Sequence, residues 1–156
     1  ELSPDIVFCF QDCLDQAAAM DERVKRGEKL PPFAGIPLSV KESSAVAGTD
    51  KTWGYAAAVG FKSTVDSPYV SQLKELGAIP FVKTNVPLSL ITFTCGNSVY
   101  GWTENPHKKG RTPGGSSGGE GALIGAGGSI LGIGSDVGGS IRMPAHYSGI
   151  AGVKAS

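Results

Sequence analysis

A pair of glycine loops, each carrying a serine, constrains this sequence more than any other feature. Residues 114–119 read GGSSGG and residues 138–142 read GGSIR, while a single lysine, Lys41, ends an apolar run far upstream. Glycine lacks a Cβ, so its backbone can turn N–H groups towards a developing oxyanion and approach a substrate closely. These features together predict a serine hydrolase whose base is a lysine rather than a histidine.

The overall charge and the metal-binding residue types exclude several function classes. Lys plus Arg and Asp plus Glu both number 14 in 156 residues, so there is no net charge to hold nucleic acid, and we expect no nucleic-acid partner. Neither the three cysteines nor His107 and His146 have the spacing of metal ligands. We therefore expect no metal site and no cofactor.

Residues 121–135 carry no charge and are the one stretch that raises the question of a membrane span. A spanning helix needs roughly 18 apolar residues, and Gly127-Gly128-Ser129 interrupts this stretch. A buried helix followed by a buried strand fits better, so no transmembrane segment is expected here.

The chain starts at Glu1 and stops at Ser156 after an apolar run. We expect residues 1–156 to be one partial domain, truncated on the C-terminal side and on the N-terminal side.

Hydrophobic periodicity predicts helices that alternate with short strands. Helices are expected over 1–27, with Ser3 as N-cap and Pro4 in the first turn, from 67 to 77, over 117–126 and from Ser140. Strands are expected over 36–40, ending at Lys41, over 78–82 and over 130–135, with a polar surface loop over 97–112. This alternation favours an α/β fold with a largely parallel or mixed sheet.

The glycine loops admit several interpretations when taken alone. No lysine follows them as a phosphate-binding loop requires, and the near matches to G-x-G-x-x-G each find their last glycine one place late. Residues 115–119 do satisfy G-x-S-x-G, the nucleophile elbow of α/β-hydrolases. An esterase of that type would use Ser117, Asp136 and His146. The polar loop before residue 114 is unlike the strand that such an elbow needs, so this is the alternative enzyme hypothesis.

Four segments together resemble the amidase signature family, over roughly residues 33–154. They are GGSSGG, the downstream GSDVGGSIRMPA at 134–145, the upstream GIPLSVKE at 35–42 and TNVP at 84–87. Glu120 makes the serine block most similar to the fatty acid amide hydrolase branch. The resemblance implies the N-terminal portion of a mixed β-sheet core flanked by helices.

The resemblance also implies a Ser-Ser-Lys triad, with Ser140 as nucleophile, Ser116 as bridge and Lys41 as base. The implied oxyanion hole consists of the backbone N–H groups of Val137, Gly138, Gly139 and Ser140, and the resemblance puts Leu90 near the acyl-binding channel. Lysine acts as a base only when neutral, which burial among apolar neighbours favours. Strand alternation should point Glu42 to the opposite face from Lys41.

The remaining polar residues of this region have structural interpretations. Ser117 is expected to cap the following helix. Asp136 and Arg142 are expected to anchor the glycine loops through hydrogen bonds. Neither histidine is expected to be needed. Leu90, Ile91 and Phe93 also fit an ordinary core.

The substrate implied by the resemblance is a small-molecule carboxylic amide, in particular a lipid amide. The expected parent protein is intracellular, attached peripherally or integrally to an internal membrane, and a homodimer. A non-enzymatic alternative also fits, in which this segment is a catalytically inactive fragment that serves as a binding module.

Overall fold

The computed structural model describes residues 10–155, which form an α/β fold around a small parallel sheet. In chain order its elements are α1 (Phe10–Lys25), β1 (Pro37–Lys41), α2 (Pro68–Glu75), β2 (Ile79–Thr84), β3 (Gly96–Asn97), β4 (Gly101–Trp102), α3 (Gly118–Gly125), β5 (Gly132–Ile133) and α4 (Arg142–Ser148). The main sheet has the order β2-β1-β5, with both pairs parallel. Parallel neighbours need crossover connections, and the helices provide them. The predicted α/β class is confirmed.

Most element positions agree with the sequence prediction, and three differ. The third strand of the sheet is confined to Gly132–Ile133, whereas a longer strand over 130–135 was expected. Residues 97–112 are not simply a loop, because an antiparallel hairpin of β3 and β4 begins that region. The main sheet is parallel throughout residues 10–155, so the mixed sheet expected from the resemblance is not seen there. The predicted cap at Ser3 and Pro4 lies outside the described residues.

The central strand β1 separates the two faces of the sheet. Leu38 and Val40 point to one face and pack with Val70 of α2, while Ser39 and Lys41 alternate to the other face. That second face is covered by α3, whose side chains bond to Ser39 and whose preceding loop bonds to Lys41. Burial on both faces is typical of strands in parallel sheets.

A β-bulge sets the register between β1 and β2. Leu38 pairs with Pro80 and Ser39 pairs with Val82, so β2 carries one extra residue at this point. Proline cannot donate a ladder hydrogen bond, which accounts for an irregularity beside Pro80. Beyond the bulge Lys41 pairs with Thr84, and the two side chains therefore share the face covered by α3.

No helix within residues 10–155 is long and apolar enough to cross a membrane. The uncharged stretch after residue 120 instead forms α3, a turn and the short strand β5.

Gly119 allows α3 to pack directly on the end of β2. Its N–H donates to the Asn85 carbonyl oxygen at 3.1 Å, and a Cβ at this position would collide with the backbone nitrogen of Asn85 and with its carbonyl oxygen at 2.7 Å. Backbone atoms cannot move aside as a flexible side chain can.

We expect Gly119→Ala to lower the free energy of unfolding by about 3 kcal/mol, the upper part of the range for overpacked sites. Chemical denaturation of the protein measures this change. The matched control is Gly138→Ala, since nothing lies within 4 Å of a Cβ built there. Equal stability of the two variants would contradict the packing argument.

Candidate active site

Lys41 is the last residue of the central strand, and its side chain is completely buried. Its Nζ donates hydrogen bonds to Ser116 Oγ at 2.7 Å and to Ser135 Oγ at 2.9 Å. Ser116 belongs to the first glycine loop, and Ser135 lies three residues before Gly138, where the second begins. The amino group of Lys41 therefore connects the two glycine loops.

Burial lowers the pKa of Lys41 to about 8 because the ammonium form loses its hydration. The carboxylates of Glu120 and Asp136 oppose this change and raise the pKa. Glu42 follows Lys41 in sequence, but its carboxylate accepts hydrogen bonds from the backbone N–H groups of Thr52 and Trp53. The expectation that Glu42 points away from the lysine is confirmed.

Ser116 is held in place by the close packing of its neighbour Gly115 against the segment between β2 and β3. A Cβ on Gly115 would collide with the carbonyl oxygens of Thr92 and Thr94, so the backbone passes between these groups only as glycine. Ser116 itself is buried, and its hydroxyl is the acceptor of the Lys41 hydrogen bond.

Ser117 has a different role from the predicted helix cap. It occupies the N-cap position of α3, but its side chain makes no capping hydrogen bond. Its Oγ donates to the Ser135 carbonyl oxygen at 3.3 Å, and its backbone N–H donates to the Ser140 carbonyl oxygen at 3.0 Å. The capping expectation was wrong, since this hydroxyl joins the two glycine loops instead.

Asp136 organises the second glycine loop. Its buried carboxylate accepts hydrogen bonds from the backbone N–H groups of Gly139 at 2.7 Å, Ile141 at 3.0 Å and Arg142 at 3.1 Å. The Arg142 guanidinium forms a two-point ion pair with the same carboxylate, at 2.9 and 3.0 Å. These bonds hold the pKa of Asp136 far below its usual range, with the Arg142 side chain as the largest cause. The predicted anchoring role of both residues is confirmed.

Ser140 lies half-buried at the end of this loop. Within residues 10–155 its Oγ makes no hydrogen bond, and Ser116 Oγ bonds to Lys41 and not to Ser140. The structure thus brings Lys41 and Ser116 into direct contact, and it attaches Ser140 to them through the backbone bond from Ser117.

One of the four backbone N–H groups predicted for the oxyanion hole already has a hydrogen-bond acceptor in the structure. The N–H of Gly139 is already engaged by the Asp136 carboxylate. The N–H groups of Val137, Gly138 and Ser140 have no acceptor among the described residues. Val137 is fully exposed, so this part of the loop is open to an incoming ligand.

The residues of the nucleophile-elbow hypothesis do not form a hydrogen-bonded triad within residues 10–155. The Ser117 hydroxyl is buried and bonds to Ser135, and the Asp136 carboxylate is engaged by Arg142 and backbone N–H groups. His146 lies on the exposed side of α4, with its ring centroid 5.9 Å from that of Tyr147. No observation favours the elbow over the lysine-based arrangement.

The segment after β2 borders the same site. Leu90 has a positive φ of 64° and closes a short turn. The backbone N–H of Ser89, in the same turn, donates a hydrogen bond to the Trp53 carbonyl oxygen. Further along, a Cβ built on Gly139 would lie 3.7 Å from the ring of Phe93. Ile91 and Phe93 are 83% and 48% exposed, so they do not belong to the core formed by residues 10–155.

A second buried lysine shows what distinguishes Lys41. Burial also lowers the pKa of Lys83 to about 8, and this residue lies on the opposite face of the sheet. The Lys83 ammonium, however, donates to the backbone carbonyl oxygen of Asp50 and lies near the Glu42 carboxylate. Only Lys41 of these two contacts serine hydroxyls.

Sequence reasoning missed Ser135 as a partner of Lys41 and treated Glu120 only as a mark of resemblance. Glu120 is 5% exposed and accepts hydrogen bonds from Ser39 and Thr84. Strand alternation puts Ser39 and Lys41 on one face, and that signal could have drawn attention to an acidic residue in the helix covering it.

Solved structures contain the same arrangement of elements. The chain superimposes on a structure described as fatty acid amide hydrolase with a TM-score of 0.84 and 37% identity, covering 88% of this chain and 24% of that one. Most of this chain therefore has the fold of a solved class of hydrolases.

The sequence comparisons identify the family within that class. Residues 4–156 match the Amidase family, and the chain belongs to it. It is 51% identical over 152 residues to "Fatty acid amide hydrolase 1" of Caenorhabditis elegans, covering 96% of this chain and 27% of that protein. It is 43% identical over 150 residues to "Amidase 2" of Gibberella moniliformis, covering 96% of this chain and 29% of that protein. The chain therefore spans less than a third of the length of these relatives.

Replacing Asp136 tests its role in the loop. We expect Asp136→Asn to lower the free energy of unfolding at pH 7 by about 2 kcal/mol, the scale of lost hydrogen bonds to a charged group. Because folding depresses the pKa of Asp136, its contribution is present above an unfolded pKa of about 3.9 and is lost as pH falls further. The deficit of the variant should therefore shrink in denaturation experiments carried out below about pH 4. The control Asp21→Asn changes an exposed carboxylate of α1 and should have no such effect; a deficit independent of pH would contradict this account.

Proposed function

We propose that this chain carries the catalytic lysine and both serines of an amidase that cleaves carboxylic amides through an acyl-enzyme. The observation that carries the proposal is the 2.7 Å hydrogen bond between the buried Lys41 Nζ and Ser116 Oγ. A serine hydroxyl is a weak nucleophile until a base removes its proton, and a lysine with a lowered pKa can be that base.

In the proposed first step, Ser140 Oγ attacks the carbonyl carbon of the amide. The proton of Ser140 passes to Ser116 Oγ as the proton of Ser116 passes to Lys41 Nζ. The carbon–nitrogen bond of the tetrahedral intermediate then breaks, and the relay returns one proton to the leaving nitrogen. The product amine departs and the acyl group remains as an ester of Ser140.

In the second step, water attacks that ester along the same route. Lys41 receives the water proton through Ser116 and returns it to Ser140 Oγ as the carboxylic acid leaves. The relay requires the Ser140 hydroxyl to turn towards Ser116, which its freedom from other hydrogen bonds allows. No cofactor or metal takes part in this proposal.

The proposed oxyanion hole uses the N–H groups of Val137, Gly138 and Ser140. The Asp136 carboxylate supports it indirectly by fixing the Gly139 N–H. A loop held in advance stabilises developing charge without reorganising during the reaction.

A small-molecule lipid amide is the proposed substrate. Its support is the 51% identity to a fatty acid amide hydrolase, together with exposed apolar side chains in the Leu90 segment beside Gly139. That likeness is also the basis on which we propose an intracellular, membrane-associated homodimer for the parent protein.

We propose that these residues form part of a single amidase domain. One support is that the chain spans 27% of the length of its Caenorhabditis elegans relative. The other is its large exposed apolar side chains, among them Phe61, Trp102 and Ile130, each at least 74% exposed. Exposed apolar surface of this kind is typical of a face that other parts of a domain cover.

We expect Ser140→Ala and Lys41→Ala each to reduce amide hydrolysis by roughly a thousandfold or more, the scale seen when a nucleophile or its base is removed. Steady-state hydrolysis by the protein measures the loss. A fluorophosphonate probe should label Ser140, as located by peptide mapping, and Ser140→Ala should abolish labelling.

The control is His146→Ala, which should retain activity within about twofold because its ring lies outside the relay. Loss of activity in His146→Ala with retention in Lys41→Ala would favour the nucleophile elbow instead. Absence of both labelling and turnover in the folded protein would favour the binding module.

The substrate proposal predicts a dependence on acyl length. Each buried methylene contributes about 0.8 kcal/mol, so kcat/KM for primary amides should rise severalfold per added carbon until the channel is filled. A series from acetamide to oleamide measures this. A flat series, or a preference for the shortest member, would contradict a lipid amide substrate while leaving the amidase proposal intact.

A further inference from the structure

Glu120 is a buried carboxylate that the proposed relay does not use. It lies in the first turn of α3, three residues after Ser117, and is 5% exposed. A glutamate at this position commonly reaches back to the start of its own helix. Here its side chain turns to the sheet instead.

Two hydroxyl groups from neighbouring strands donate to Glu120. Ser39 Oγ donates to Oε2 at 2.6 Å, and Thr84 Oγ1 donates to Oε1 at 2.6 Å. Ser39 lies two residues before Lys41 on the same face of β1, and Thr84 pairs with Lys41 in the sheet. The carboxylate thus binds both strands around the lysine.

The neighbouring strand leaves room for this carboxylate only because it carries a glycine. A Cβ on Gly132 of β5 would collide with Glu120 Oε2 and would lie 2.8 Å from Ser39 Oγ. All three strands of the sheet are therefore shaped around one acidic side chain.

We propose that Glu120 is a positioning residue for the lysine base, since it fixes α3 against the strand that carries Lys41 and its charge makes that lysine harder to deprotonate. This proposal rests on the proposed function, in which neutral Lys41 accepts the proton. Glu120 touches neither substrate nor reacting atoms and acts through Lys41.

Few charged groups of the described residues surround Lys41 and Glu120. Lys41 faces Glu120 from α3 and Asp136 from the loop after β5, and the Asp136 charge is balanced by Arg142 of α4. The Cys95 thiol also lies near, but burial raises its pKa to about 12, so it is uncharged when Lys41 titrates.

Burial raises the pKa of Glu120 to about 7, while the Ser39 and Thr84 hydroxyls and Lys41 lower it. Glu120 can hold a proton without losing its partners. Ser39 Oγ also lies 3.2 Å from the Leu131 carbonyl oxygen, so a protonated Glu120 can donate to Ser39 while Ser39 donates to Leu131. Both charge states of the carboxyl are satisfied by hydrogen bonds.

The test is Glu120→Gln, which keeps the side-chain volume and removes the charge. Activity should rise with pH as Lys41 loses its proton, with a midpoint near its pKa of about 8. Without the negative charge the ammonium is less stable, so its pKa falls and the acid limb should move about one unit to lower pH. The measurement is the rate of Ser140 labelling by a fluorophosphonate, and kcat/KM for an amide, in the full-length protein from pH 5 to pH 10.

The matched control is Glu75→Gln, an exposed glutamate of α2, which should leave the limb where it is. A second variant, Thr84→Val, removes one donor from the carboxylate and makes Glu120 easier to protonate. It should move the acid limb of the pH–rate profile to lower pH by a smaller amount than Glu120→Gln does. If Glu120→Gln does not fold, this variant tests the proposal in its place.

A folded Glu120→Gln whose acid limb coincides with that of the parent, or moves to higher pH, would overturn the proposal. A loss of rate with no change in the limb would likewise assign Glu120 to stability alone. Retained activity in Lys41→Ala would instead overturn the proposed function, so the two failures are distinguishable.

Discussion

The complete burial of the Lys41 amino group is the constraint on which the rest of this site depends. An ammonium taken out of water loses hydration, and the loss must be offset by polar neighbours or by giving up the proton. The atoms in direct contact with Nζ are neutral oxygens, two from Ser135 and one from Ser116. None of these oxygens carries a charge that would hold the proton on the amine, so burial dominates and the pKa falls to about 8.

Bringing neutral hydroxyls to that amine requires the start of α3 to press closely on the sheet. The glycines before and within the first turn of α3 make this possible, because side chains there would strike Thr92, Thr94, Cys95 and Asn85. The glycine-rich character of the first loop is therefore a packing requirement as well as a matter of flexible backbone. It places the serines where the central strand ends.

The sequence predicted the class of fold, the end of β1 at Lys41 and the anchoring by Asp136 and Arg142, since each depended on a local pattern. Three features escaped it because they depend on tertiary contacts. The hydroxyl of Ser117 bonds across to the other loop instead of capping its helix. The N–H of Gly139 is taken by Asp136. The Glu120 carboxylate turns to the sheet and accepts hydrogen bonds from Ser39 and Thr84. Neither residue spacing nor periodicity shows which hydrogen-bond partner a polar group will have in the folded chain.

The two buried lysines show why a lowered pKa does not by itself identify a base. Lys41 and Lys83 lie on opposite faces of one sheet, and burial brings both to a pKa of about 8. Lys83 donates to a backbone carbonyl oxygen, which can accept a hydrogen bond but has no proton to pass on. Lys41 contacts hydroxyl oxygens, which can donate and accept in turn. Burial lowers the proton affinity of the lysine at both positions, and the partner atom decides whether the proton can move.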